Sequence, residues 1–355
     1  MKAVRKSSRA RKKLMLQSGV RVANPVRRDP TRTGGVRLRF TAELNRRFAM
    51  IVRDLRDAVV RDDVLGLDSP RTLASPGKKA FAYSTSAGKM KNFSRWVDGQ
   101  FHKYLLSLGG HGLVPTHGAT VANSVSPWWA DTYLESGYKT GVVRSVAALK
   151  KYGKGKVPHR AFGGTLTTEE AVATAFASRT HADAAGLIYS RSFEELKGIT
   201  ADMSRQINRS LAESLAEGRG AAQTAAILEK RVHVGLARAR VMARTEIIRA
   251  HHHASINTFR EAGVYGVQVV VEFHGALDDR ICPECADLHG QLFTLDEILP
   301  MIPVHPNCRC AALPVPQLMS DQEVAEARAE EQQGAFVIPG SHVVENYDEQ
   351  TDEDE

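Results

Sequence analysis

Apolar positions recur at helical intervals through most of the middle of the chain. Leu44, Phe48, Ile51, Leu55 and Val59 stand three or four apart with Arg and Asp between them. This spacing predicts a helix that starts at Thr41, as its cap, and ends near Gly66. Phe93, Trp96, Val97, Phe101, Tyr104, Leu105 and Leu108 form one stripe and predict a second helix over 93–108, stopped by Gly109 and Gly110. A third is expected over 127–151, carrying Trp128, Trp129, Tyr133, Tyr138 and Val142. Aromatic stripes at this spacing are far more often core than cofactor site. Segments 66–90 and 153–166, rich in Ser, Gly, Pro and Lys, read as loops.

After Thr167-Thr168, the acids Glu169 and Glu170 suit the positive end of a helix dipole. A long helical region over 168–262 follows, with breaks expected near Gly186, Gly198 and Gly218–Gly220. Ile199, Met203, Ile207, Leu211 and Leu215 line one stripe of it. Beyond Gly263 the pattern changes. Val267, Val269, Val270, Val271 and Phe273 favour a strand. Asp278, Asp279 and Gly290 mark turns, and Pro300, Pro303, Pro306, Pro314 and Pro316 argue against helix. The fold class expected is mainly α: an elongated helical bundle followed by a small β-rich, Cys/His-containing C-terminal module (α+β overall).

Charge divides the chain further. Residues 1–40 hold 13 Lys or Arg and one acid, Asp29, whereas residues 320–355 hold 12 acids and one base, Arg328. The net charge of +8 therefore hides two tails of opposite sign around a nearly neutral body. The division expected is a basic flexible arm over 1–39, an N-terminal helical region over 40–152, helices over 168–262 with a β/Cys-His module over 264–316, and an acidic disordered tail over 317–355. Basic arms neutralise phosphate by releasing condensed counterions, without reading sequence. Arg5, Lys6, Arg9, Arg11, Lys12 and Lys13 are the candidate nucleic-acid-binding residues; a solvated arm that only aids solubility is the alternative. Without aromatic residues before Phe40, the arm is not expected to stack on bases. An export signal is not expected from the start MKAVRKSSRA, which lacks an apolar core. Apolar runs also stay short of the roughly 18 residues that a membrane span needs, so no membrane partner is expected.

All four cysteines fall between Cys282 and Cys310. With a reducing compartment expected, such a cluster favours metal over a disulfide framework. Cys282 and Cys285 have the C-x2-C spacing that grips one tetrahedral ion from a tight turn. The preferred ligand set is Cys282, Cys285, His305 and Cys308 around a structural zinc, with Cys310 and His289 as alternates. Thiols that merely fill a small core, or that pair as disulfides outside the cell, are the competing readings.

A second constellation is the helical run 243–263. Its three adjacent histidines, His251, His252 and His253, project about 100° apart and do not converge on one ion. Catalysis there would need Glu246 as base and His253 as partner. The preferred reading gives Arg244 and Glu246 structural ion pairs that lock the helix to its neighbours. Deaminases show H-x-E followed by P-C-x-x-C. Here Pro283 lies inside the Cys pair, and His274 is followed by Gly275 and Ala276. A zinc-dependent nucleic-acid-modifying enzyme, with Glu284, Asp287 or Glu246 as its acid, stands as the runner-up.

Five pieces occur in order: Arg244-Thr245-Glu246, Asp279-Arg280, Cys282-Pro283-x-Cys285, Leu288-His289-Gly290, and His305 through Cys310 as HPNCRC. Together they resemble the phage Mu F-like, or phage head-morphogenesis, family over roughly residues 160–316. The resemblance implies a minor capsid protein of the virion, inside the phage head, present in the host cytoplasm during assembly. It implies the portal protein and capsid or scaffold proteins as partners and, nonspecifically, double-stranded DNA. It implies no catalytic set.

Overall fold

The computed structural model describes residues 29–68, 86–107, 128–153, 168–264, 267–276, 278 and 280–318. The basic residues from Arg5 to Lys13, the acidic residues after 320 and all but the first residue of the loop expected at 153–166 lie outside them; Gly153 itself ends a helix. The fold is mainly α, closed by a small three-stranded antiparallel sheet.

Helix α1 (Gly34–Arg56) buries Val36, Phe40, Leu44, Phe48, Ile51 and Leu55, the stripe the spacing predicts, and ends in a π turn over Asp57–Arg61. It starts earlier than Thr41, whose hydroxyl instead donates to the Arg37 carbonyl inside the helix. The segment before it is tied down. Asp29 Oδ1 accepts from the Thr31 backbone N–H at 3.1 Å and from its hydroxyl at 2.6 Å, and Asp29 pairs with Arg37. Residues 29–39 are therefore not part of a free arm. Gly34-Gly35 is a breaker by composition, yet here it opens the helix.

Helix α2 (Ser86–Phe101), extended by a π turn over His102–Leu106, starts seven residues before the expected position at 93. Helix α3 (Asp131–Gly153) follows. The indole N–H groups of Trp128 and Trp129 both donate to the Leu105 carbonyl at 2.8 Å, fastening the end of α2 to the start of α3. The Arg47 guanidinium lies 4.0 Å from the Trp129 ring centroid, a cation–π contact that brings in α1.

Helix α4 (Thr168–Ala177) leads into α5 (Arg179–Ala216). The breaks expected at Gly186 and Gly198 do not occur. A mid-helix glycine costs only about 1 kcal/mol, and burial of Ala184, Ile188, Leu196, Ile199, Met203, Ile207 and Leu211 outweighs it. The chain does turn at Gly218, whose φ of 67° suits glycine. Helix α6 (Ala221–Val264) then runs unbroken for 44 residues, about 66 Å at the usual helical rise. Its first turn is capped from far away: Asp68 Oδ1 accepts from the Ala221 N–H at 2.8 Å.

Close approach explains two glycines. A Cβ on Gly141 of α3 would collide with the His251 carbonyl and the Ala254 methyl of α6. One on Gly235 of α6 would overlap the Met203 side chain of α5. These contacts seat α3 and α5 directly against α6.

The end piece holds β1 (Val267–His274), α7 (Pro283–Leu288), β2 (Leu292–Phe293), α8 (Leu295–Ile298) and β3 (Ala311–Leu318). Strand β1 is central, with β2 and β3 antiparallel on either side. In register, Val271 opposes Phe293 and Pro314, and Val270 opposes Val315. Pro314 and Pro316 are tolerated because β3 is an edge strand. Val269, Val271 and Phe273 alternate into a second hydrophobic core shared with Ile248, Ile256 and Phe259 of α6, with Ile298, Leu299 and Ile302, and with Cys285, Cys308 and Cys310. The two short helices make this piece less purely β than the prolines suggest. Thr294 caps α8 in a capping box with Glu297.

Candidate metal centre

The four cysteines are free thiols. Cys282 sits at the cap of α7 in extended conformation, with Pro283 at the first helical position, where its missing N–H costs nothing. The Cys285 backbone N–H donates to Cys282 Sγ at 3.3 Å. One turn of helix brings the Cys285 thiol beside that of Cys282.

His305 arrives from the opposite side. Its Nδ1 lies 2.9 Å from the Pro306 carbonyl, which places the ring proton on that nitrogen. The lone pair is then on Nε2, which stands 3.3 Å from Cys282 Sγ and 3.2 Å from Cys285 Sγ. A backbone carbonyl fixing the remote ring nitrogen is the usual support for a metal-ligating histidine. Asn307, with φ at 62°, turns the chain, and the Cys308 N–H returns to the His305 carbonyl at 3.0 Å.

The donor atoms form two trios. In Cys282, Cys285 and His305, and again in Cys285, Cys308 and Cys310, all donor atoms lie within 4.8 Å of one another. Cys285 is common to both. Hydrogen bonds from the Cys285 and Cys310 thiols hold Cys308 well below the usual thiol range. Contact with Cys308, and next with Cys310, pushes Cys285 up. Cys282 and Cys285 thus face the His305 imidazole, whereas Cys308 groups with Cys285 and Cys310 rather than with Cys282 and His305, so the expected four ligands meet only through Cys285. Thiolate and imidazole donors of this kind suit zinc. His289 stands apart from the thiols, in a third trio with Glu272 and His274.

The motifs that are scattered in sequence meet here. The Asn307 N–H donates to the Thr245 hydroxyl at 3.1 Å, joining HPNCRC to Arg244-Thr245-Glu246 on α6. Arg309 Nη2 donates to Asp278 Oδ1 at 2.7 Å, and Arg309 also bonds Asp278 Oδ2. The Arg309 guanidinium holds the Asp278 carboxyl well below the usual carboxylate range.

Glu246 is 3% exposed and pairs with Arg191 of α5 at 3.5 Å and Arg249 at 3.2 Å. Arg191 and Arg249, which the sequence does not single out, are thus its partners; Arg244 adds to the positive surroundings that, after burial, lower the Arg37 pKa. His251, His252 and His253 are buried. His252 Nε2 contacts the Ile298 carbonyl at 3.0 Å, and the His253 ring lies edge-on to His252. Glu246 Oε1 thus takes both arginine contacts, while Glu246 Oε2 and His253 Nδ1 are buried without a hydrogen-bond partner.

Sequence comparison agrees with the motifs. Residues 205–313 match the family model described as Phage Mu protein F like protein. The match is narrower than the expected 160–316; it begins inside α5, spans all of α6 and ends in β3, enclosing the four thiols and His305. No curated protein and no solved structure matches the chain. No helix among the described residues is long and apolar enough to cross a membrane.

Proposed function

We propose that the chain is a minor structural protein of a bacteriophage head that acts in procapsid assembly and contacts the portal and packaged DNA. One observation carries this reading: the Phage Mu protein F like match over residues 205–313 contains the whole Cys/His centre. The centre is structural. Cys282, Cys285, His305 and Cys308 hold a zinc ion, and Cys310 packs against it as a further thiol. Zinc there closes the tip onto α6 and supplies folding energy rather than chemistry.

The division of labour follows. Residues 1–28, which include the cations from Arg5 to Lys13, reach for phosphate; the helical body of 40–152 and 168–262 presents surface to the portal and to capsid or scaffold proteins; the acidic residues after 318 remain solvated. The test is particle composition. Purified heads contain the chain in a few copies each, inside the shell and protected from added protease until the shell is opened. Its absence from both heads and procapsids would remove the reading.

A further inference from the structure

Glu272, His274 and His289 form a cluster that the thiol centre does not use. Glu272 and His274 stand two apart on β1, so the strand's two-residue period projects both from one face. The neighbours between and before them, Phe273 and Val271, point the other way into the second core. His289 closes α7, and Gly290, with φ at 84°, turns the chain back toward β1. The Gly290 N–H then donates to the Phe273 carbonyl at 2.9 Å, and the Gly275 N–H to His289 Nδ1 at 3.3 Å. These contacts set the His289 ring edge-on to His274, with centroids 4.9 Å apart. The Gly275 contact is long, and the Nδ1 lone pair it uses is the one an ion would take in its place.

One donor atom from each of the three residues falls within 4.8 Å of the other two. Glu272 Oε1 and His274 Nδ1 are 3.7 Å apart, too long for a hydrogen bond. That separation suits two ligands of a common ion, each about 2.0–2.2 Å from it. His274 Nδ1 is shut from water and has no hydrogen-bond partner. His181, His251, His252 and His253 also bury such a nitrogen, but among the described residues only His274 does so within a trio of metal-ligating side chains. All three side chains are half-buried, so the cluster lies at the surface, and a turn of the His274 ring rather than unfolding would open Nδ1 to an ion.

We propose that Glu272, His274 and His289 bind a divalent transition-metal ion of the class that takes imidazole and carboxylate together, such as zinc, cobalt or nickel. The site is separate from the thiolate centre and does not depend on it. Water completes the coordination, since the protein supplies three ligands.

The metal-free, reduced full-length chain is titrated with cobalt(II). Bound cobalt is counted by equilibrium dialysis, and thiolate-bound cobalt by its sulfur-to-metal charge-transfer absorption. The chain is expected to bind one equivalent beyond the amount that saturates this absorption. The double variant His274→Gln, His289→Gln loses that equivalent and keeps the absorption. Glu272→Gln alone, on the half-exposed face of β1, also loses it; this variant decides the matter if the double variant does not fold by circular dichroism. No equivalent beyond the thiolate-bound cobalt, or one that survives these substitutions, overturns the proposal. A chain with no thiolate absorption that still binds the equivalent supports this site while removing the zinc centre proposed above.

Discussion

The Tyr138 hydroxyl of α3 lies 2.9 Å from His181 Nδ1 of α5, with both side chains shut off from solvent. Asn257 Nδ2 of α6 donates to the same hydroxyl at 3.2 Å, so the phenol proton goes to His181. His181 Nε2 in turn stands 3.3 Å from Glu261 Oε2. Three helices are thus stitched by one polar chain, and burial pushes the Tyr138 phenol up, keeping it protonated. Tyr138→Phe leaves His181 and Asn257 without that partner, at a cost of about 1–3 kcal/mol. Urea unfolding reads it; a midpoint equal to wild type would show the network to be idle.

Gly141 and Gly235 predict unequal costs. At Gly141 an added methyl meets the His251 backbone, which cannot retreat without moving α6. Gly141→Ala is expected to destabilise by about 1–3 kcal/mol, typical of overpacking. At Gly235 it meets Sδ and Cγ of the Met203 side chain, which can turn where backbone cannot. Gly235→Ala should cost clearly less, because Met adapts and alanine favours helix. Thermal melts of the two variants rank them, and the reverse order would contradict the packing described.

Three buried histidines make the fold acid-sensitive. Burial pushes His251 and His252 down to about 3 and His253 down to about 4. Their folded values lie below the unfolded value of about 6.5. The unfolded chain therefore binds protons first as pH falls. Stability is whole above about pH 6.5 and drains away toward pH 3–4. At pH 5 each neutral histidine weakens the fold by on the order of 2 kcal/mol, from about 1.4 kcal/mol per pH unit. Urea midpoints at pH 7 and 5 should differ accordingly, and His251→Gln should shrink the difference. A pH-independent midpoint over that interval would be incompatible with the burial.

Chelation tests the zinc centre. Removing metal from the reduced chain should lower the melting temperature, and adding zinc should restore it. Cys285→Ser, which breaks both trios, should reduce zinc per chain more than Cys310→Ser, measured by elemental analysis. Equal zinc in both variants would mean that Cys285 is not the shared ligand.

The arm is tested by charge rather than deletion through residue 40, because Val36 and Phe40 belong to the core. Replacing Arg5, Lys6, Arg9, Arg11, Lys12 and Lys13 with Gln should weaken DNA binding and flatten its salt dependence, by about 0.9 in log–log slope per lost phosphate contact. An unchanged slope would move DNA contact elsewhere.

Much of this architecture is legible in the sequence because periodicity reports burial. The stripe from Leu44 to Val59 and the alternation of Val269, Val271 and Phe273 both face cores as expected. Boundaries are less legible where distant partners decide them. Asp29 and Arg37 pull the start of α1 forward, and Asp68 caps α6 from across the bundle. Glycine misleads in α5, since burial on one face carries the helix through Gly186 and Gly198. The C-x2-C spacing and HPNCRC locate the thiol cluster, yet only the folded chain reveals that Cys285 belongs to two trios and that His289 leans toward β1. Arg191, the partner of Glu246, gives no local signal, because ion pairs between helices have no sequence period.

Helix α6 contributes side chains to both hydrophobic cores, from Ala221 and Leu228 at one end to Ile256 and Phe259 at the other. A single rod that belongs to two cores ties them together without a break in its helix. The Cys/His end and the bundle therefore share one element, so a displacement of that helix at one end disturbs packing at the other.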